Sequence, residues 1–251
     1  LNKDFKYEDY GEVGVRMGGG HDFNIENMDI ISSGEAPIEF LHSNGRKYRN
    51  LVSIIMLNGS QNGITTTTLK QGAAIVSDSL STSAVSLYND NSANKPLKFI
   101  NEGLIKSTKR FGSAVNFLNF GGNTALSSFI NNGDIIVDGS NYSNVVYNFM
   151  NLSNYFIFTN NGNITLNGRG GYGMQFTSTI PHTQHPVSIF QLNKPIVVEG
   201  SWSKGFYFSK LSRGRLFEAI VNGQLEKSFF NVELHGENNN GMHIGGGSVA
   251  Q

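Results

Sequence analysis

The chain contains no cysteine, which excludes disulfides and thiolate metal sites. Over 251 residues the stability must therefore come from elsewhere, and a repeated core is one source. Charge is scarce as well. Lys, Arg, Asp and Glu together make 15% of the chain, and nineteen basic residues cancel nineteen acidic ones. A general nucleic-acid binder needs a basic excess to neutralise phosphates, so nucleic acid is not an expected partner. No apolar run approaches the length that spans a bilayer, and Leu1 opens no signal-peptide pattern. Strong helix formers are displaced at polar positions by Gly, Asn, Ser and Thr, all of low helix propensity, and no helix is predicted. What remains is 38% apolar, with 18 Phe and 9 Tyr, which is enough to build a core.

That apolar content is periodic. Phe99-Ile100-Asn101-Glu102-Gly103-Leu104-Ile105 returns as Phe129-Ile130-Asn131-Asn132-Gly133-Asp134-Ile135 and again as Phe158-Thr159-Asn160-Asn161-Gly162-Asn163-Ile164. Taking the glycine as an anchor, the register extends back to Gly72 and forward to Lys194 and Gly223, in steps of 31, 30, 29, 32 and 29 residues. Each column keeps its chemistry. Two residues past the anchor stand Ala74, Ile105, Ile135, Ile164, Ile196 and Leu225; four past it stand Val76, Ser107, Val137, Leu166, Val198 and Lys227. This is the period-two alternation of a half-buried strand. A second strand follows at fixed offset, with Val115, Val145, Met174 and Phe206 and then Phe117, Tyr147, Phe176 and Phe208. A third column precedes the anchor: Phe99, Phe129, Phe158 and Phe190.

Three apolar columns separated by turns predict an all-β fold, a right-handed parallel β-helix with coils of about 30 residues. One coil cannot bury its own Ile and Phe side chains; neighbours above and below can, for roughly 1.5–3 kcal/mol per large side chain. At about 4.8 Å per coil, some eight coils would run roughly 40 Å. The Asn-rich turn (Asn101, Asn131, Asn160, Asn193) suits left-handed bends and side-chain ladders between coils. Three regions are expected: irregular or early coils over 1–50, regular repeats over 51–228, and an insertion with a final partial coil over 229–251. Ser53-Ile54-Ile55, thirty residues before Ser83-Ala84-Val85, extends the pattern backwards. Gly245-Gly246-Gly247 does not look like a cap, so the chain reads as a piece of a longer solenoid.

The segment Phe129 to Gly139 resembles the repeats of type V autotransporter passenger domains, most closely the Asn-rich passengers of fusobacterial adhesins and vacuolating-cytotoxin-like proteins. The resemblance covers roughly residues 50–225 and is specific for architecture. It implies a surface-displayed or secreted bacterial protein acting as an adhesin or host-interaction scaffold. Its partner would be a host cell-surface glycoprotein or glycan, and its anchor an outer-membrane barrel lying outside this sequence. No catalytic residue is carried over, and no cofactor or metal is implied. Alternatives from other classes are a polysaccharide-degrading β-helix enzyme and a segment of a cell-entry toxin.

The residues offer several candidate sites. Gly168 to Gly173 has the G-x-G-x-x-G spacing of dinucleotide sites, but strand-like Met174-Gln175-Phe176 follows where a helix is required, so it reads as a turn. His182 and His185, bracketed by Pro181 and Pro186, read as exposed loop histidines. Asp138 and Glu199 share a column with Asn167 between them, some ~10 Å apart, a poor fit to an acid–base pair. The turn after the anchor strand is richer. It carries Lys106, Lys109 and Arg110, then Tyr142, then Arg169 and Tyr172, then Trp202 and Lys204. Stacked coils would align these as a stripe of cations and aromatics, suited to sugars, acidic glycans or a protein surface.

Overall fold

A computed structural model describes residues 6–7, 11–34, 39–41, 47–49, 52–80, 82–89, 95–120, 127–151, 156–178, 189–208, 218–221, 224–227 and 231–244. Among them there is no helix, so none is long and apolar enough to cross a membrane. The strands form three large sheets of nine, six and seven strands, called here sheets 1, 2 and 3, and the chain visits them in turn. Ser113–Phe120 lies in sheet 1, Ser127–Asn131 in sheet 2 and Asp134–Val137 in sheet 3, after which Asn144–Asn151 returns to sheet 1. Each of these strands pairs in parallel with its counterpart one coil away, which makes the body of the chain a parallel β-solenoid. Lys6–Tyr7 joins the edge of sheet 1 antiparallel, and Glu39–Leu41 pairs antiparallel with Lys47–Arg49.

The columns read from the sequence are the inward-facing columns of these sheets. Phe99, Phe129, Phe158 and Phe190 are in register on sheet 2 and fully buried. Three of the rings stack, with centroids 5.1 and 5.4 Å apart and nearly parallel planes. In-register pairing forces identical residues on top of one another, which is why a phenylalanine column becomes a ring stack. On sheet 3, Ile75, Ile105, Ile135, Ile164 and Ile196 form an equally buried column.

Pairing also corrects the register in detail. Ile105 pairs with Ile75, so the anchor of that coil is Ala73 and not Gly72, and the buried partners are Ile75 and Ser77 in place of Ala74 and Val76. Val115 pairs with Val146 rather than Val145, and Phe117 with Asn148 rather than Tyr147. The shift arises because the turn before Asn144 holds one residue more than its neighbours. It is hard to see in the sequence because the central coils enter sheet 1 with two consecutive buried residues, such as Ala114-Val115 and Val145-Val146. The largest correction is at the end. Gln224–Lys227 does not continue sheet 3 but pairs antiparallel with Glu218–Val221, so Leu225 and Lys227 leave the columns, and Gly223 lies outside the described residues. The next rung on Ile196–Val198 is Val232–Leu234, and Asn240–Ile244 follows on sheet 1. At the other end, Gly11–Met17, Asp22–Ile25 and Asp29–Gly34 pair with the three strands of the following coil. Residues before 50 therefore already contribute a coil.

The turn between sheets 2 and 3 is held by amide ladders. Asn101 Nδ2 donates to Asn131 Oδ1 at 2.6 Å, and Asn131 Nδ2 to Asn160 Oδ1 at 2.7 Å, all three residues being fully buried. Leu69 and Leu192 occupy the same register position in the coils on either side, so the inner ladder spans three coils. Asn193 belongs instead to an outer ladder, donating to Asn161 at 2.7 Å, which in turn donates to Asn132 at 2.9 Å. None of the inner ladder residues adopts the left-handed bend expected of them. The coils approach too closely for side chains beside the ladder: a Cβ on Gly133 would collide with the carbonyl oxygen of Gly103.

Removing the middle amide leaves buried partners on both sides unsatisfied, at about 1–3 kcal/mol for each buried polar group. Asn131→Ala is therefore expected to lower the urea midpoint by more than Asn132→Ala, whose ladder is exposed. Equal midpoints for the two variants would refute the buried ladder as a stabilising element.

Candidate functional site

The basic and aromatic turn forms the corner between sheets 3 and 1. Its geometry repeats: the second residue before the first aligned residue of the sheet 1 strand has a positive φ in successive coils. These residues are Phe111 (61°), Tyr142 (63°), Gly170 (68°), Trp202 (61°) and Asn238 (55°). Gly and Asn adopt that conformation cheaply, whereas a bulky aromatic there is strained by roughly 1–3 kcal/mol. Three of the five positions nevertheless hold aromatics. The strained backbone is fixed by coil-to-coil hydrogen bonds: the Phe111 amide donates to the Asn141 carbonyl at 3.2 Å, Tyr142 to Gly170 at 2.9 Å and Trp202 to Glu237 at 2.9 Å. Close approach fixes it further, since a Cβ on Gly168 would run into the carbonyl oxygen of Gly139.

From this corner the rings make a ladder. Phe111 stacks on Tyr142 with centroids 6.1 Å apart, and Tyr142 meets Tyr172 at 5.9 Å. Tyr172 stacks on Tyr207 at 4.7 Å, and Tyr207 meets His243 at 5.3 Å. One ring comes from each coil, and the line drifts from the corner onto the outer face of sheet 1. Two cations join it. Arg110 lies 5.6 Å from the Phe111 centroid, and the Lys204 ammonium sits 5.0 Å from Tyr172 and 4.8 Å from Tyr207. Burial beside the two rings pulls the Lys204 pKa down. Burial, followed by the neighbouring Tyr207 and Tyr142, pushes the Tyr172 phenol well above its ordinary value, so it stays neutral. Tyr142 (58%) and Trp202 (57%) are the exposed aromatics of the corner, while Tyr172 is buried.

Of the expected stripe, the structure brings together Arg110, Tyr142, Tyr172 and Lys204. Arg169 is exposed on the same corner. Trp202 stands beside the ladder without a ring partner among the described residues. Lys106 and Lys109 turn the other way, onto sheet 3, where Lys106 pairs with Asp138 at 2.8 Å and Lys109 with Asp78 at 3.3 Å. Phe111, Tyr207 and His243 were not singled out from the sequence. Their spacing follows no single column, because the ladder shifts sideways as it climbs. His182 and His185 lie outside the described residues.

The acids of sheet 3 form a separate polar ladder. Thr108 donates to Asp78, Asn167 donates to Asp138 at 2.7 Å, and His235 Nδ1 lies 3.0 Å from Glu199. Partial burial raises the Asp138 pKa, but hydrogen bonds from Asn167 and Lys106 and the Lys106 charge outweigh it and leave the carboxyl below its ordinary value. Asp78 is lowered too, mainly by Thr108 and also by Lys109. Gly168 to Gly171 is a turn that enters the strand Tyr172–Ser178, with no helix to receive a phosphate. Among the described residues, no three His, Asp or Glu side chains gather as a metal site.

No protein family, curated protein or solved structure matches this chain. Its function has to be argued from the corner itself.

Two outcomes follow from this geometry. Trp202→Asn, which places at that position the residue type found at Asn238, should leave the denaturation midpoint unchanged or raise it, by up to about 1–2 kcal/mol of relieved left-handed strain. A clear loss of stability would show that the indole is there for packing. The depressed Asp138 carboxyl stabilises the fold above its unfolded-state pKa, near 3.8, and that contribution is lost as pH falls through the lower folded value. Asp138→Asn should flatten the decline in stability measured by urea titration as pH drops below about 4, and an unaltered slope would count against the interaction.

Proposed function

We propose that the chain is a segment of a surface-displayed or secreted bacterial passenger of the type V autotransporter kind. In it the solenoid acts as a stiff spacer, and the corner between sheets 3 and 1 is the adhesive edge that contacts a host glycoprotein or glycan. The observation that carries this reading is the use of Phe111, Tyr142 and Trp202 at left-handed positions where Gly170 and Asn238 show that cheaper residues fit. Strain retained on the exposed Tyr142 and Trp202, which add little to the core, favours a contact role, and the half-buried Phe111 supports Tyr142 by stacking on it. The cysteine-free composition and the repeat resemblance support secretion through an outer-membrane pore, with the anchoring barrel outside this sequence.

A polysaccharide-degrading enzyme is the reading from another class. Its hydrolytic form needs a carboxylic acid held protonated near neutral pH. Asp78 and Asp138 are shifted the opposite way, and their partners Thr108, Lys109, Lys106 and Asn167 are stabilising a charged ladder. Nothing in the fold favours a cell-entry toxin segment over a scaffold.

In binding assays on cultured host cells, the labelled chain should saturate. A Tyr142→Ser/Trp202→Asn double variant with an intact β-rich circular dichroism spectrum should bind at least about tenfold more weakly, as the loss of roughly 1.4 kcal/mol of aromatic contact implies. Equal binding by the folded variant would defeat the adhesive reading.

A further inference from the structure

Five rings recur in five successive coils. Tyr172 is buried, but the exposed Tyr142 and His243 and the half-buried Phe111 and Tyr207 leave an edge that repeats with the coil. A repeating edge is matched by a repeating ligand. We propose that the ladder from Phe111 to His243 binds a linear acidic polysaccharide laid along the solenoid axis. This inference rests on the adhesive reading above and names its ligand class.

Four observations lead to it. The first is spacing. The rings succeed each other at 6.1, 5.9, 4.7 and 5.3 Å, and at a coil rise of about 4.8 Å they extend roughly 20 Å along the axis. A coil rise of this size is close to the advance per pyranose in an extended glycan, so successive sugars can meet successive coils. A pyranose also offers apolar C–H groups to the exposed parts of Tyr142 and Trp202 and to the outward edges of the stacked rings. Many weak contacts on one chain then add through effective concentration.

The second observation is charge. Lys70, Lys106 and Lys109, on the sheet 3 side, each reach a carboxylate one coil away. Arg110, Arg169 and Lys204, on the ladder side, have no carboxylate partner among the described residues. Glu237, in the last described corner, is exposed on this edge, and its carboxylate forms no ion pair with Arg110, Arg169 or Lys204. Three unneutralised cations flanking a line of rings call for a ligand that brings its own anions.

The third is the backbone. The corner amides of Phe111, Tyr142 and Trp202 are already hydrogen-bonded from coil to coil, so an extended peptide could not add there as a strand. The fourth separates sugars from nucleic acid, the other polymer that stacks on rings beside cations. The net charge is zero, and the adjoining sheet 3 lysines are spent on Asp78 and Asp138. The three ladder-side cations therefore supply too little positive charge for a densely charged phosphate chain but enough for one anion every sugar or two.

The chain carries its own reporter, because Trp202 is the single tryptophan and stands exposed beside the ladder. Its fluorescence is followed while the whole chain is titrated with hyaluronan oligosaccharides, with chondroitin sulfate oligosaccharides, with cellohexaose as the neutral glycan, and with a single-stranded thymidine oligonucleotide. The two acidic series distinguish carboxylate from sulfate as the recognised anion. At least one is expected to perturb the indole saturably, with affinity rising from disaccharide to hexasaccharide and falling as salt is added. An Arg110→Glu/Arg169→Glu variant and a Tyr142→Ser variant, both keeping Trp202, should each weaken binding about tenfold, or roughly 1.4 kcal/mol. Equal affinity for cellohexaose, tighter binding of the oligonucleotide, or indifference to both variants overturns the proposal. If no glycan binds while cell binding still depends on Tyr142 and Trp202, the ligand class is wrong and the adhesive edge stands. If cell binding is absent too, both readings fall together.

Discussion

Parallel, in-register stacking at one strand spacing per coil is the constraint on which everything else in this protein depends. A residue type that works once in such a stack must work again directly above itself. Phenylalanines become a ring stack, isoleucines a buried column, and asparagines an amide ladder in which each side chain both donates and accepts. Bulk is excluded where backbones approach, which reserves positions such as Gly133 and Gly168 for glycine. These terms take the place of disulfides and helices.

The same constraint explains how a surface is made. Side chains at a corner repeat on the coil spacing whether or not they serve the core, so a small bias in the corner sequence becomes an extended array. Lys106, Lys109, Asp78 and Asp138 become a self-neutralised network on one side of the corner. On the other side the array is aromatic and cationic, and it is not self-neutralised. Two neighbouring edges of one turn therefore have opposite characters: one is closed on itself, the other open to a partner.

Much of the fold was legible because repetition converts local chemistry into a countable spacing. The phenylalanine and isoleucine columns needed only counting, as did the pairing of Ser83 with Ser53. Errors arose where the chain length between equivalent positions changed. One extra residue before Asn144 shifted Val145 and Tyr147, and a hairpin at Glu218–Lys227 carried Leu225 out of its column. The hairpin misled because its alternating pattern is that of any strand; only pairing tells an inserted strand from a rung. The corner was legible as a cluster of residue types, but not as a ladder. Tyr207 and His243 join it by a sideways drift that no fixed offset contains, and Lys109 leaves it for Asp78.

The sequence by itself determined that this chain folds as stacked coils, since apolar residues recurring at one period can be buried only by their own repeats. It also determined the absence of disulfides and the neutrality of the whole. The tertiary structure decided which side of the corner each cation serves and which rings touch. It also decided which aromatics are held at positive φ. Those properties depend on register, twist and backbone angle between coils some thirty residues apart, and residue type alone carries no information about them.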